Sequence, residues 1–328
     1  MRNDRVDEMS APVWVLYDGK DGLRSQVMGV AEAVGLPFEE KRLETRYPWK
    51  VLPPSLWPNA RHAPGRGGDR LLPPWPRLII CAGGRASAPS LSVRKAARGR
   101  CLVVQIQDPK IAPRHFDLML IPEHDKVRAP NIMVTRGAPH RVTPQKLAEA
   151  AGIWGPRLAH LGTPRVAVLI GGDNGAYRLN PPLMARIANQ LAVLAEQGAG
   201  LMITPSRRTG EAVEQVLRAR LAKLPVEIWN GAGDNPYFGY LALADHVLAT
   251  ADSISMITEA SATGKPVHVI PLEGGARKFE IFHQAMREAG VTRPFAGALD
   301  SWTYQPRDDT AEAGERIRAL MRERDLWP

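Results

Sequence analysis

Leu248-Ala-Thr-Ala-Asp-Ser-Ile-Ser-Met-Ile-Thr-Glu-Ala-Ser-Ala-Thr-Gly-Lys-Pro-Val-His-Val-Ile-Pro271 reads as a strand, a polar turn, a short helix, a glycine stop and a second strand. Asp252 and Ser253 supply side-chain oxygens for a helix N-cap, and Gly264 with Pro266 ends the helix. A helix that opens from a strand end leaves backbone N–H groups unpaired, a ready place for a phosphate or another anion. Ser255 lies in that turn, and Glu259 follows inside the helix. Two readings fit the stretch alone: the nucleotide end of a nucleotide-sugar site, or an ordinary βαβ unit with a solvated glutamate.

The same alternation extends outward. Arg165-Val-Ala-Val-Leu-Ile170 runs straight into Gly171-Gly-Asp-Asn-Gly175, ahead of a helix from about Pro181 to Gln197. The strand Leu201–Thr204 leads to Pro205-Ser-Arg-Arg-Thr-Gly210, where the guanidinium of Arg207 or Arg208 can reach a diphosphate bidentately. A solvated arginine pair is the alternative. After Val226–Trp229 comes a loop and short helix carrying Asn235, Tyr237 and Tyr240, neighbours for a base or sugar or simply core tyrosines. Beyond Val267–Ile270 stand Glu273-Gly-Gly-Ala276, a helix through Ile281 and Met286, and a charged helix near 308–324.

The first half repeats the scheme. The strand Val13–Tyr17 leaves through Asp18-Gly-Lys-Asp-Gly22 into a helix with Val27, Val30, Ala31 and Val34 on one face. Glycine-bearing turns at strand ends are where open α/β sheets hold ligands, so Asp18, Gly19 and Lys20 are candidates. The spacing is not the dinucleotide fingerprint, which disfavours NAD. A second such turn, Ala82-Gly-Gly-Arg-Ala-Ser87, makes Gly84, Arg85 and Ser87 a candidate anion loop; a turn with a solvated arginine reads equally well. Asp117–Asp125 is a strand ending in Glu123, His124 and Asp125, where His124 is a general-base candidate or a turn residue. Residues 44–76 break the pattern with frequent prolines and Trp49, Trp57 and Trp75. These either pack on the domain or form an acceptor- or membrane-facing surface.

Bulk properties narrow the classes. At 328 residues the chain holds two ordinary domains, and 44% hydrophobic with 23% charged residues is globular composition. A net charge of +9 suggests an anionic partner. The cations are spread along the chain and no nucleic-acid motif is visible, which favours a phosphate-bearing small molecule over nucleic acid. Cys81 and Cys101 read as core fillers. The polar Met1–Glu8 stretch shows no secretory h-region, and the apolar runs are strand-sized; a cytoplasmic protein, with peripheral membrane contact as an option, is expected.

Several blocks in order resemble the plant mitochondrial fission family called elongated mitochondria and its bacterial relatives: Cys81-Ala-Gly-Gly-Arg-Ala-Ser87, Val104-Gln-Ile-Gln-Asp-Pro109, Phe116-Asp-Leu118, Pro122-Glu-His-Asp125, Leu169-Ile-Gly-Gly-Asp-Asn174, Thr204-Pro-Ser-Arg-Arg-Thr209, Asp234-Asn-Pro-Tyr237 and Thr250–Glu259. The chain also resembles the GT-B glycosyltransferase architecture. That implies an α/β fold of two Rossmann-like doubly wound domains facing a cleft. Residues 10–143 form the first (with the Pro-rich insertion 44–76), 144–162 a helical bridge, 163–290 a nucleotide-binding-like domain and 291–328 a helical tail.

The Gly171–Ala176 loop is similar to the Gly-Gly-Ser-x-Gly-Ala loop of the lipid-linked N-acetylglucosaminyltransferase that builds peptidoglycan precursor. By that likeness Glu259 holds the ribose hydroxyls and the turn Asp252–Ser255, with Ser253 and Ser255, faces the diphosphate; the nucleotide reading adds Gly171, Gly172, Asn174 and Gly175 of the loop and Arg207 and Arg208 as diphosphate contacts. The first loop lacks that enzyme's Gly-Gly-Thr-Gly-Gly-His, so Asp18 or His124 stands in as catalytic base. Two functions follow. One is metal-independent transfer from a nucleotide-diphosphate sugar, with no further cofactor and with positive groups stabilising the leaving diphosphate. The other is a non-catalytic adaptor with a protein partner, since plant members are linked to recruiting a dynamin-type GTPase.

Overall fold

The computed structural model describes residues 12–328, so the stretch read as lacking a secretory leader lies outside the described residues. The chain divides into two compact units: residues up to Arg141 together with Asp308–Pro328, and Val142–Arg307.

The first unit opens with β1 (Val13–Tyr17), α1 (Asp21–Val34) and β2 (Phe38–Arg42). The 44–76 excursion follows, with only two short 3-10 turns. Next come β3 (Leu78–Ala82), α2 (Gly84–Ala96), β4 (Leu102–Ile106), β5 (Leu118–Pro122) and β6 (Ile132–Thr135). All six strands are parallel, in the order β2-β1-β3-β4-β5-β6. Such a sheet is covered on both faces, which is why its strands are continuous apolar runs rather than alternating ones. Val13, Val15, Leu78, Ile80 and Val104 pack under α1, whereas Trp14, Leu16, Ile79, Cys81 and Val103 pack with Ala86 and Val93 of α2. Cys81 and Cys101 are free and buried, and burial pushes both thiols up to about 12.

The second unit contains α3 (Pro144–Trp154), β7 (Arg165–Ile170), β8 (Tyr177–Arg178), α4 (Pro181–Glu196), β9 (Gly200–Pro205), α5 (Glu211–Leu221), β10 (Val226–Ile228), α6 (Tyr237–Leu243), β11 (His246–Thr250), α7 (Ile254–Ser261), β12 (Val267–Ile270), β13 (Glu273–Gly274), α8 (Arg277–Glu288) and β14 (Thr292–Pro294). Its main sheet is again parallel, ordered β10-β9-β7-β11-β12-β14, and β8 pairs antiparallel with β13. The chain then returns to the first unit as α9 (Asp309–Glu323).

Both doubly wound domains are thus present, but two expected segments are divided differently. Residues 144–162 are not a separate bridge: Trp154 of α3 meets Tyr240 of α6 edge to face at 6.3 Å, and Leu147 joins the same core. The tail expected over 291–328 splits, because Thr292–Pro294 adds a sixth strand to the second sheet while α9 leaves. Ala313, Ile317 and Met321 of α9 share the core of Val27, Val30 and Val34. At Gly314 a Cβ would come within 2.6 Å of the Ala33 carbonyl oxygen, so a glycine lets the two helices close together.

Candidate functional site

Strand order marks the place where each sheet can hold a ligand. In the second unit the connection from β7 runs to β9, and that from β11 runs the opposite way to β12. The turns after β7 and β11 therefore flank a crevice at the strands' carboxyl ends, the topological switch point of a doubly wound sheet. The opening stretch and the Gly171–Gly175 loop meet there.

Asp252 is the hub of this meeting. Its side chain is 0% exposed, and it accepts hydrogen bonds from the Gly172 amide at 3.1 Å and the Thr250 hydroxyl at 2.6 Å, with Arg208 Nη2 at 2.7 Å. The Thr250 hydroxyl in turn accepts from the Gly171 amide at 2.8 Å. A Cβ on Gly171 would collide with both Asp252 carboxylate oxygens, and one on Gly172 with the Arg208 carbonyl, so this approach needs glycine at both places. The hydroxyls of Ser206 and Thr209 donate to the Gly171 carbonyl at 3.0 and 2.5 Å. Asn174 holds the far end, donating to the Asp252 carbonyl at 3.1 Å and accepting from the Ala176 and Tyr177 amides at 2.7 and 2.8 Å. Gly175 sits at the exposed tip.

The loop is clamped from the other side as well. The Gly275 amide donates to the Ala176 carbonyl at 2.8 Å, and Gly274, at φ +101, lets the β13 strand approach that carbonyl closely. The Tyr177 ring meets Phe279 of α8 edge to face at 5.1 Å. Asp173, at the exposed corner, accepts from the Leu179 amide at 2.7 Å; that bond, helped by Arg178, lowers its pKa.

The expected diphosphate contacts sort themselves by this wiring. Gly171 and Gly172 already give their amides to Thr250 and Asp252. Ser253 caps α7, accepting from the Met256 amide at 3.3 Å. Both arginines are exposed, but Arg208 pairs inward with Asp252, whereas Arg207 lines an open pocket of about 340 Å³. What remains for an anion at this edge are the Ile254 and Ser255 amides, ahead of the first intrahelical bond, with the half-buried Ser255 side chain. On the same helix, Glu259 accepts a hydrogen bond from the Tyr237 phenol at 2.5 Å. Burial first, and the carboxylate second, raise the Tyr237 pKa well above its ordinary value, so the phenol stays protonated and donating. The Asn235 side chain accepts from the amide of Tyr237, the first residue of α6, at 3.0 Å.

In the first unit the switch point lies between β1 and β3. Asp18 follows β1 and faces the Gly83 turn: a Cβ on Gly83 would lie 3.8 Å from Asp18 Oδ2. Its Oδ1 is buried with no hydrogen-bond partner among the described residues, and Lys20 Nζ stands 3.6 Å from Oδ2. Gly19, at φ +82, faces the Arg42 side chain. Gly84 opens α2 and Arg85 is exposed, as a ligand loop requires. Ser87 is not part of that loop surface. It is fully buried, and its hydroxyl donates to Gln105 at 2.7 Å in a core network that continues to the Gln107 carbonyl. His124 is buried at the end of β5, three strands from β1 in the sheet, or about 14 Å at the usual strand spacing. Asp18 and His124 therefore cannot act as one dyad, and only Asp18 stands at the switch point.

The family description Mitochondrial fission ELM1 matches residues 21–321. The chain belongs to the mitochondrial fission ELM1 family. It is 34% identical over 270 residues to the Arabidopsis thaliana Mitochondrial fission protein ELM1, covering 74% of this chain and 63% of that protein. The chain thus spans less than two thirds of that relative's length. A second relative, the Uncharacterized protein RP120 of Rickettsia prowazekii (strain Madrid E), is 24% identical over 351 residues, covering 94% of this chain and 98% of that one.

Among solved structures, the UDP-GlcNAc 2-epimerase of Methanocaldococcus jannaschii superposes with a TM-score of 0.58 at 11% identity, over 95% of this chain and 99% of that one. The S. aureus MnaA-UDP co-structure gives 0.57 at 13%, over 97% and 98%. The glycosyltransferase SnogD from Streptomyces nogalater gives 0.50 at 16%, over 96% of each. At these identities the likeness is one of fold: the ELM1-family chain has the GT-B-like pair of Rossmann-like domains.

Sequence reasoning placed Asp252 in this ELM1-family site as an N-cap oxygen in a turn facing the diphosphate, and not as the hub that ties three loops together. Thr250, Ser206 and Thr209, which hold the glycine loop, stand in the family-like blocks but had no role assigned, because that role depends on which strands are neighbours.

Proposed function

We propose that the second unit of this ELM1-family chain binds a nucleoside-diphosphate sugar, and that the protein is a GT-B-type, metal-independent glycosyltransferase. The observation that carries the reading is the placement of one short helix. α7 starts at the switch point of a 3-2-1-4-5-6 sheet, and Glu259, braced by Tyr237, lies roughly 7 Å farther along its axis. In the proposal the diphosphate takes the Ile254 and Ser255 amides and the Arg207 guanidinium, and Glu259 accepts from the ribose hydroxyls. A helix N-terminus and a guanidinium favour the charge that builds on a departing diphosphate. UDP in one fold neighbour's structure agrees with this chemistry. Asp18 is the base that would take the acceptor's proton.

The test is calorimetric titration of the full chain with nucleoside diphosphates and their sugars, alongside thermal shift. A bound ligand at about 100 times its Kd adds about 2.7 kcal/mol to stability. Glu259→Ala and Arg207→Ala should each weaken the responding ligand about tenfold or more, near 1.4 kcal/mol. No response to any nucleotide, or unchanged affinity in both variants, refutes the proposal and leaves a protein-binding role for the fold.

A further inference from the structure

We propose that the 44–76 excursion of the first unit is a docking surface for an anionic lipid bilayer. This inference is independent of the nucleotide site. Among the described residues seven large hydrophobic side chains are exposed, and five of them lie here: Tyr47 (70%), Val51 (66%), Leu52 (36%), Leu56 (66%) and Leu72 (51%). Such clustering is not the single scatter of an ordinary surface.

The excursion is held in shape from inside. Trp57 is buried with Ala60, Ala63 and Ala88 of α2, and its indole N–H donates to the Leu52 carbonyl at 2.8 Å. The Trp49 indole donates to the Pro58 carbonyl at 2.9 Å, and Thr45 bridges to Pro64. The segment thus buries Trp57, half-buries Trp49 and Trp75, and turns Tyr47 and its aliphatic tips outward on a pinned backbone. Of the two readings of the tryptophans, packing on the domain holds for Trp57, and the exposed face belongs to the residues beside it.

Charge selects the occupant. Residues 44–76 carry five cations against two carboxylates, a net +3. Arg46, Lys50, Arg66 and Arg70 are exposed, and among the described residues none of the four is in an ion pair. Lys50 lies 6.0 Å from the Tyr47 ring centre, an amphipathic pair of the kind that suits a membrane–water boundary. A protein interface would have a core poor in charge and anchored by aromatic residues. Here aliphatic tips and one exposed tyrosine, Tyr47, alternate with solvated cations, while Trp57 is buried and Trp49 and Trp75 are half-buried. That pattern matches acyl-boundary insertion beneath a layer of phosphate headgroups.

Flotation of the full chain tests this with vesicles of phosphatidylcholine alone and of phosphatidylcholine and phosphatidylglycerol in equal parts. The chain should float with the anionic vesicles, release at high salt and leave the neutral ones. Lys50→Ala with Arg70→Ala should weaken partitioning by more than tenfold, at about fivefold per cation. Val51→Asp with Leu56→Asp should abolish it, while Val193→Asp on the second unit should leave it unchanged. All these positions are exposed, so circular dichroism should match the parent. Equal binding to neutral vesicles, equal binding by both excursion variants, or self-association lost in Val51→Asp would overturn the proposal; the last would make the face an interface between copies of the chain. None of these outcomes depends on nucleotide binding.

Discussion

Replacing Asp252 by alanine should unlock the glycine loop, and the size of the effect can be worked from its partners. The substitution leaves the Gly172 amide, buried and 3.1 Å from the lost oxygen, without an acceptor. An orphaned buried donor costs about 1–3 kcal/mol. The Thr250 hydroxyl loses its 2.6 Å acceptor but still accepts from the Gly171 amide, so its share is smaller. Arg208 is 41% exposed and can turn to water, which limits the ion-pair contribution to under about 1 kcal/mol. Together these give a local loss of about 2–3 kcal/mol. At 1.4 kcal/mol per tenfold, amide hydrogen exchange in a peptide covering residues 169–176 should accelerate roughly 30- to 150-fold. Asp252→Asn keeps an oxygen for the Gly172 amide and should lose about half as much. Exchange in Asp252→Ala within threefold of the parent would show that the carboxylate does not hold the loop, and the account of the site's wiring would fail.

Four other outcomes are expected. Tyr237→Phe removes a hydrogen bond to a carboxylate and should lower stability by about 1.5–3 kcal/mol in urea titration. It should weaken nucleotide binding less than Glu259→Ala does. Burial lowers the pKa of His246, His268 and His283, with the neighbouring His246 adding to the effect at His268. The unfolded chain then binds more protons than the folded one just below about pH 6.5, so their stabilising share is complete above that value and is lost as pH falls through it; a His246→Gln, His268→Gln variant should show a flatter urea midpoint between about pH 7.5 and about pH 5.5, and an unchanged slope would refute it. Gly314→Val should cost about 1–3 kcal/mol in urea titration by forcing α9 off the Ala33 carbonyl, and no change would contradict the packing of α9 on α1. Asp18→Asn should leave thermal stability equal or slightly higher while lowering any transfer activity at least about a hundredfold; retained activity would remove Asp18 as the base.

How much of this was legible beforehand depended on whether a feature is local. Runs such as Leu78-Ile-Ile-Cys81 and Val166–Ile170 are apolar without alternation, which marks strands of a parallel sheet, and the α1 face of Val27, Val30, Ala31 and Val34 repeats at helical spacing. Both domains and the three loops at 171–175, 205–210 and 251–255 could be found in that way. Strand order could not, because it is set by pairings between segments far apart in the chain. Without it nothing distinguishes Ser87, which disappears into the core with Gln105, from its exposed neighbour Arg85. Nor does the sequence show that α9 crosses back to the first unit, since an amphipathic helix specifies that it needs an apolar partner and not which one.

The two switch points use the same residue for opposite ends. Each places an aspartate just past a central strand: Asp18 after β1, Asp252 after β11. Asp252 is fully enclosed, and its carboxylate ties together three loops. A buried carboxylate so engaged is structural, and its negative charge stands close to where an incoming anion would sit. Affinity for a diphosphate must then come from groups that Asp252 does not neutralise, which is why Arg207 and the α7 amides, rather than Arg208 and the glycine amides, carry the proposed contact. Asp18 has the reverse character. One of its oxygens is buried and accepts from no described group, an arrangement that costs stability and is uncommon unless something else completes it. An acceptor hydroxyl donating to that oxygen would complete it. Under the proposed function, loop organisation falls to Asp252 and the role of base to Asp18, and the two separate experimentally: loss of Asp252 should disturb the fold before function, and loss of Asp18 function without the fold.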